Sequence, residues 1–486
     1  MKTKSLWLFL CVFVCALFIP FQQTQAATDG YLQKVKDQGT LVVGTSADYP
    51  PYEFTVKQNG ETKYVGLDME IAQKFADNLG VKLVVKNMNF DSLLVALETH
   101  KVDMVISGMN PTPERQQSVD FSKVYYSGDQ YMLINKKDLA RFKTIKSFKN
   151  KMIGAQTGSL QYTLVKQQMK NNEIKGLAKL NDLVIALQSG KVNAVAMEEP
   201  TARAFAENNS GLVAINPKFK VDAGQTGAAI AFPKGATSLV NAANKTITQI
   251  KQQNLINKKY IPQAGKYMAG NTKSNSILNY WTYFAKGIEY TLIITVVSVF
   301  FGFALGVLFA LMRLSRNKLF HWLAVAYIEF VRGTPLMVQV MFVYFGIGAV
   351  IQSLPALVAG IIAVSLNSTA YVAEVIRSGI ESIPAGQTEA ARSLGMSQKL
   401  TYRYVIIPQA LKNIWPALGN EFITLIKESS IVSIIGVTDL IYQMQLVQSA
   451  TYKGVVPIFI AMVIYFVMTF SLSKVLGYFE GRMKHA

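Results

Sequence analysis

From Thr40 onward, short apolar runs alternate with segments whose apolar residues recur every three to four positions. LVVGTS (41–46) reads as a strand entering a loop. GLDMEIAQKFADNLG (66–80) reads as an amphipathic helix, with Leu67, Ile71 and Phe75 on one face and Gly80 as its stop. KLVVKNM is again strand-like, FDSLLVALETHKV helical, and DMVISGM (103–109) a buried strand. A second series runs from MIGAQTGS (152–159) through NDLVIALQSGKV to NAVAMEEP (193–200). Strands alternating with helices predict parallel α/β layers. Ligands in such layers sit beyond the carboxyl ends of the strands, here the loops 45–54, 107–115, 156–160 and 197–201.

Past residue 288 the pattern changes. Thr291–Met312 is an uninterrupted apolar run of helix-spanning length. Further spans are expected to end near Ile351, over Leu354–Ala373, over about 421–440 (with Lys427 and Glu428 inside), and over Val455–Ser473. That makes about five spans. Polar GNTKSNS (270–276) separates the two halves, giving an α/β domain over 27–268, a linker over 269–285 and a membrane domain over 286–486.

Composition sharpens the first segment. MKTKSLWLFLCVFVCALFIPFQQTQA carries Lys2 and Lys4, an apolar run and a small-residue end, which fits a cleavable secretory signal over 1–26. Cys11 and Cys15, the chain's 2 cysteines, both lie in it, so no disulfide or thiolate metal site is expected in the mature domain. The net charge of +19 raises nucleic acid, but the basic residues are scattered or sit at span ends. No module interleaving basic and aromatic residues is present, so no nucleic-acid partner is expected. RLSRNK (313–318), the basic residues from Arg377 to Lys412, and Lys474, Arg482 and Lys484 follow alternate spans. The positive-inside rule puts the α/β domain outside the cell membrane and the C-terminus in the cytoplasm.

The strand-end loops hold a coherent set of groups. Arg115 is suited to a two-pronged contact with a carboxylate. Gly108, Asn110 and Gly158 present polar groups near it, and TGS (157–159), opening a helix, suits an anion. Glu198 at a strand end suits an ammonium, and Tyr49 an apolar stem. Together these describe a free α-amino acid. GTSADYPPYEF, YVGLDMEIA, DMVISGMNPTPERQQSVDFSKVYY and AVAMEEP resemble the polar amino-acid family of periplasmic-type substrate-binding proteins, over about 38–265. The resemblance implies a two-lobed α/β fold with crossovers near 125–129 and 223–228. It implies Arg115, Asn110 and Gly158 on the α-carboxylate, Gly108 and Glu198 on the ammonium, and Ser46, Tyr49 and Leu67 along the side-chain pocket. Ser46 stands where basic-amino-acid binders tend to have an acid, which favours a neutral polar ligand. Glutamine comes first, then glutamate, asparagine or cystine. Asp48 or Glu199 would supply the charge for a basic amino acid instead.

EAARSLGMSQKLTYRYVIIP reads as two short helices bent near Gly395, between membrane spans. With Glu389, Ala390, Ala391 and Gly395 it resembles the EAA loop of ABC-importer permeases, here about 386–408. YIEFVRGTPLMVQ and LNSTAYVAEVIRSGIESIPAGQ also resemble the amino-acid branch of that family. The resemblance implies an all-α permease domain that pairs as a homodimer in membrane lipid, each copy docking a cytoplasmic ABC ATPase. No G-x-x-x-x-G-K-[ST] loop is present, and GAQTGSL lacks the lysine. No cofactor is therefore expected on this chain, and ATP and Mg fall to the partner. Asn367 and Glu374, polar at membrane depth, are candidates for a ligand pathway. With 3 histidines, at 100, 321 and 485, no catalytic constellation is visible. An amino-acid-gated receptor would need an output domain or filter loop that the sequence lacks.

Overall fold

The computed structural model describes residues 30–485, apart from 59–60, 223–224, 274–276, 349–350, 352–353 and 452. The expected signal over 1–26 lies outside the described residues.

Two five-stranded sheets organise the first half. In chain order the strands are β1 (Thr40–Thr45), β2 (Lys82–Asn87), β3 (Met104–Val105), β4 (Val119–Phe121), β5 (Gln130–Asn135), β6 (Met152–Gln156), β7 (Glu173–Leu177), β8 (Ala194–Glu198), β9 (Leu212–Ile215) and β10 (Ala231–Pro233). Lobe 1 has the order β2-β1-β3-β10-β4, and lobe 2 the order β7-β6-β8-β5-β9. β1 runs parallel to β2 with Thr40 opposite Lys82, and β6 parallel to β7 with Met152 opposite Glu173. The chain passes from lobe 1 to lobe 2 after β4 and returns before β10. The two crossing segments pair at Tyr126 and Ala228, as an antiparallel bridge. Tyr125 N–H donates to Ala228 O at 2.9 Å and Ala228 N–H to Tyr126 O at 2.7 Å. The expected crossovers are therefore where the strands cross, with 223–224 undescribed.

Local sequence explains the elements that frame the cleft. Helix α1 (Leu67–Leu79) starts after Gly66 and stops at Gly80, whose φ of 72° is left-handed and whose N–H returns to Ala76 and Asp77 carbonyls. Leu67, Ile71 and Phe75 are buried at a spacing of four. Two further helices carry lobe surface: α2 (Leu93–Glu98) in lobe 1 and α3 (Leu180–Gln188) in lobe 2.

A helix spans Ile261–Lys273 and so includes the first four residues of GNTKSNS. Beyond it come α4 (Trp281–Arg313), α5 (Lys318–Arg332), α6 (Leu336–Met341), α7 (Ala356–Glu381), α8 (Ala385–Ser393), α9 (Gln398–Thr401), α10 (Ile407–Glu428), α11 (Leu440–Thr451) and α12 (Val455–His485). Three helices are long and apolar enough to cross a membrane, or up to five spans if two bent pairs each count as one. The bent pairs revise the expected second and fourth spans. One breaks by 105° between Arg332 and Leu336, at Pro335. The other turns by 55° between Ile435 and Leu440, after Gly436 at φ +82°. Lys427 and Glu428 end α10, where the helix continues as a 3-10 turn over Ser429–Ile435.

α4 and α7 approach closely because α4 carries small residues at one face. A Cβ on Gly302 would lie 2.6 Å from Ser368 Oγ, and one on Gly306 2.5 Å from Val372 Cγ1. This small-xxx-small contact replaces the hydrophobic drive that lipid cannot supply.

Candidate functional site

The carboxyl ends of the strands from both lobes converge on one cleft. Arg115 lies in the short helix Pro113–Ser118, which starts at the Thr112 cap just past β3. Its guanidinium donates to Asn110 O in lobe 1 at 2.7 Å and to Gly158 O in lobe 2 at 2.8 Å. It also stacks 5.4 Å from the Phe90 ring centroid. Burial lowers its pKa to about 10, so it stays cationic at neutral pH. Two of five N–H donors are used on those carbonyls, which leaves three for an incoming anion.

Glu198 ends β8 and is fully buried. Its carboxylate accepts from Tyr52 Oη at 2.6 Å and Asn110 Nδ2 at 2.9 Å, both across the cleft. Burial raises its pKa, and the bonds from Tyr52, Asn110 and Gln130 oppose that rise. Its N–H donates to Tyr49 Oη at 3.0 Å. Ser159 caps the helix Leu160–Gln168, accepting from Tyr162 N–H, so TGS does open a helix. Gly108 and Gly158 adopt φ of +51° and +75°, the left-handed region that glycine allows.

The structure thus brings Arg115, Asn110, Gly108, Gly158, Glu198, Ser46 and Tyr49 around one cleft. Leu67 is different: it is packed in the lobe 1 core beside Ile71 and Phe75 and does not line the cavity. The aromatic wall is Phe90, which sits between strands and helix in FDSLL; that segment reads as an ordinary apolar helix start. Asp48, Glu53, Ser107, Gln156 and Gln161 also line the cleft. GTSADYPPYEF contains Asp48 and Glu53, but only the fold shows that both turn inward. A neighbouring cavity of about 480 Å³ opens beside Arg115 and shares Phe90 and Ser159 with the cleft.

Acidic groups dominate this interior. Asp48 Oδ1 accepts from Ser46 Oγ at 3.0 Å, and its Oδ2 accepts from Leu180 N–H of lobe 2 at 2.8 Å. Glu53 accepts from Ser107 Oγ at 2.7 Å. Burial, then the Asp68 charge, pushes its pKa well up. Asp68 accepts from Gly108 N–H and Tyr125 Oη, at 2.7 and 2.8 Å, and burial raises it to about 6. Glu199, in contrast, turns outward to Arg203 at 2.8 Å.

In the membrane half, Asn367 is buried in α7 and donates to Gln339 Oε1 at 3.1 Å. Glu374 pairs with Arg377 at 2.6 Å, Arg313 at 2.8 Å and Arg332 at 3.7 Å, tying α4, α5 and α7 together. Its carboxylate is thus engaged in an interhelix ion network. On the turn between α8 and α9, Gly395 adopts φ +85°. Glu389, Ala390 and Gly395 are exposed and Ala391 is packed inward. Leu394 is 84% exposed, which the sequence pattern did not single out.

Comparison with known proteins agrees with this division. Residues 41–263 match the family described as bacterial extracellular solute-binding proteins, family 3, and residues 302–485 match the binding-protein-dependent transport system inner membrane component. Over 200 residues the chain is 41% identical to the arginine transport system permease protein ArtQ of Bacillus subtilis (strain 168), covering 41% of this chain and 91% of that protein. Over 199 residues it is 40% identical to the probable glutamine ABC transporter permease protein GlnM of the same organism, covering 41% and 92%. Over 255 residues it is 33% identical to the arginine-binding extracellular protein ArtP of that organism, covering 52% and 95%.

Proposed function

We infer function from this premise: the chain belongs to the bacterial extracellular solute-binding proteins, family 3, and, in its second half, to the binding-protein-dependent inner membrane components, so it is a fused binding and permease subunit of an amino-acid ABC importer. It is a transport component and not an enzyme. The binding half faces outward, and the coupling turn and C-terminus face the cytoplasm, on the charge pattern of the loops. ATP and Mg are used by a separate ATPase seated on Leu394 and Glu389. Two copies pair in the membrane to enclose the pathway.

The preferred ligand is an amino acid with a cationic side chain, of the arginine class. One observation carries this: buried carboxylates outnumber cations around the cleft. Arg115 answers the ligand's α-carboxylate, and Glu198, held by Tyr52 and Asn110, answers its ammonium. Burial raises both Glu53 and Asp68, and the Asp68 charge raises Glu53 further, so this adjacent pair favours holding one proton between them. That leaves Asp48, whose oxygens hold neutral donors, to face a second positive charge. Lys179, 3.5 Å from Ser46 Oγ, is the protein cation beside it, and a cationic side chain adds a second. The absence of an acid at position 46 is therefore met two residues later. The arginine-binding relative supports the same direction, and the glutamine-named relative supports the neutral alternative.

The test is competition for binding to the purified full chain. L-arginine displacing labelled amino acid at least tenfold more effectively than L-glutamine, a difference of about 1.4 kcal/mol, supports this reading. The reverse order returns the ligand to the glutamine class.

A further inference from the structure

Helix α11 of the membrane half touches both lobes of the binding half. Asp439 Oδ1 accepts the Tyr442 N–H at 2.9 Å and so fixes its first turn. Tyr442 Oη accepts from Asn87 Nδ2 of lobe 1 at 3.0 Å and bonds Tyr64 Oη at 3.0 Å. Two turns on, Ser449 Oγ accepts from Asn181 Nδ2 of lobe 2 at 2.6 Å. Glycines flank both contacts. A Cβ on Gly436 would lie 2.6 Å from Asn87 O, and one on Gly454 2.1 Å from Ile185 Cγ1 of lobe 2.

Tyr442 and Ser449 are seven residues apart, so they share one helix face about 10.5 Å apart. That spacing is rigid. Lobe 1 is anchored independently: Leu93 and Leu97 of α2 pack in one apolar cluster with Val340, Tyr344 and Val432 of the membrane half. The two contacts also close a ring through the ligand loop. Asn87 Oδ1 accepts the Ala47 N–H at 2.8 Å; the next residue, Asp48, takes the Leu180 N–H of lobe 2; the next after that is Asn181, on Ser449. Leu180 on Asp48 and Asn181 on Ser449 are thus neighbouring contacts of lobe 2, made to lobe 1 and to α11 in the same arrangement.

We propose that α11 is a caliper for lobe closure, acting on the chain's own binding domain: Tyr442 holds lobe 1 whether the cleft is open or closed, and Ser449 takes lobe 2 only when it is closed. The inference rests on the importer reading and adds to it where, and in which copy, closure is sensed. The sensed signal has a physical route, because α11 follows α10, whose other end leads back to α9 and the exposed Gly395 turn. A ligand that favours the closed lobes then favours the doubly engaged helix, by as much as its affinity differs between the two states.

The test uses the full chain in membranes, with Cys11→Ser and Cys15→Ser. Two cysteine pairs are introduced separately: Asn87→Cys with Tyr442→Cys, and Asn181→Cys with Ser449→Cys. Each is treated with a flexible bis-maleimide long enough to replace the side chains removed, because tip-to-tip contacts of this kind exceed the reach of a direct disulfide, with and without L-arginine plus L-glutamine, and amino-acid binding by the same variants is measured alongside. The expected result is that the first pair links in both conditions and the second links several-fold more with amino acid, both within one chain. Linking of the second pair that ignores amino acid, or that yields covalent dimers, overturns the caliper while retained binding leaves the importer reading standing. No binding by the parent chain overturns both. A cysteine-free readout guards against misfolding: Asn181→Ala and Ser449→Ala should lower amino-acid-stimulated ATP hydrolysis of the assembled importer several-fold and weaken Kd by no more than about tenfold, the linked loss of one neutral hydrogen bond. Unaltered stimulation overturns the proposal.

Discussion

Arg115→Ala removes a group that ties the two lobes to each other and faces the ligand. In the closed cleft its guanidinium reaches Asn110 O at 2.7 Å and Gly158 O at 2.8 Å, one carbonyl in each lobe. The Asn110 bond stays within lobe 1, so only the Gly158 bond is specific to the closed form, where a hydrogen bond from a charged donor contributes about 1.5 kcal/mol at the low end. Because ligand binding and closure are linked, that loss appears in Kd, as about one order of magnitude. Contacts to the ligand carboxylate from the three remaining N–H groups make this a lower bound. Alanine also bares the Phe90 ring, which the guanidinium covers at 5.4 Å. Calorimetry on the full chain measures Kd directly, with thermal unfolding of the apo protein as the folding control. Arg115→Lys should fall between wild type and alanine, because an ammonium keeps the charge but cannot fork across two carbonyls. A Kd for Arg115→Ala within about threefold of wild type, well under 1 kcal/mol, would refute the reasoning.

Three further outcomes are expected. Asp48→Asn should weaken L-arginine binding at least tenfold, about 1.4 kcal/mol, and L-glutamine binding much less, as competition assays will read. For the Glu53–Asp68 pair, both folded pKa values lie above the ordinary carboxylate range, Asp68 at about 6. The folded state therefore binds the extra proton; this contribution is fully present below about pH 4 and is lost as pH rises through about 6 and beyond. The melting temperature of the binding half's transition should fall between about pH 5 and pH 8, and Glu53→Gln should flatten that slope while keeping amino-acid binding. Leu394→Asp should reduce recovery of the ATPase with the purified chain and leave amino-acid Kd unchanged, since Leu394 is 84% exposed on the turn and far in sequence from the cleft.

Much of this was legible in the sequence because the patterns are local. The period of Leu67, Ile71 and Phe75 with a terminal glycine specifies a helix whatever surrounds it, and it forms as read. Gly395 marks the bend between α8 and α9 for the same reason. Broken spans were harder. A hydropathy run does not register a 105° turn at Pro335, because the residues on both sides remain apolar. The same limit hid the inward turn of Asp48 and Glu53. A strand–turn–strand segment such as GTSADYPPYEF fixes neither side chain's direction until the sheet and the opposite lobe are placed. Leu67 shows the reverse case: the family resemblance implied the pocket, but Leu67 packs in the core. Glu374 looked like a pathway group because a lone carboxylate at membrane depth is rare. The arginines that engage it come from α4 and α5 as well as from its own helix, and the sequence does not show them as neighbours.

The most direct test of the account is transport itself. Proteoliposomes are made with the full chain, its ATPase and enclosed ATP, and loaded from outside with labelled L-arginine. The account predicts ATP-dependent accumulation of arginine that Arg115→Ala abolishes and that excess L-glutamine competes with only weakly. Absence of ATP-dependent uptake of any amino acid, from vesicles in which the chain is folded and the ATPase is bound, would contradict it.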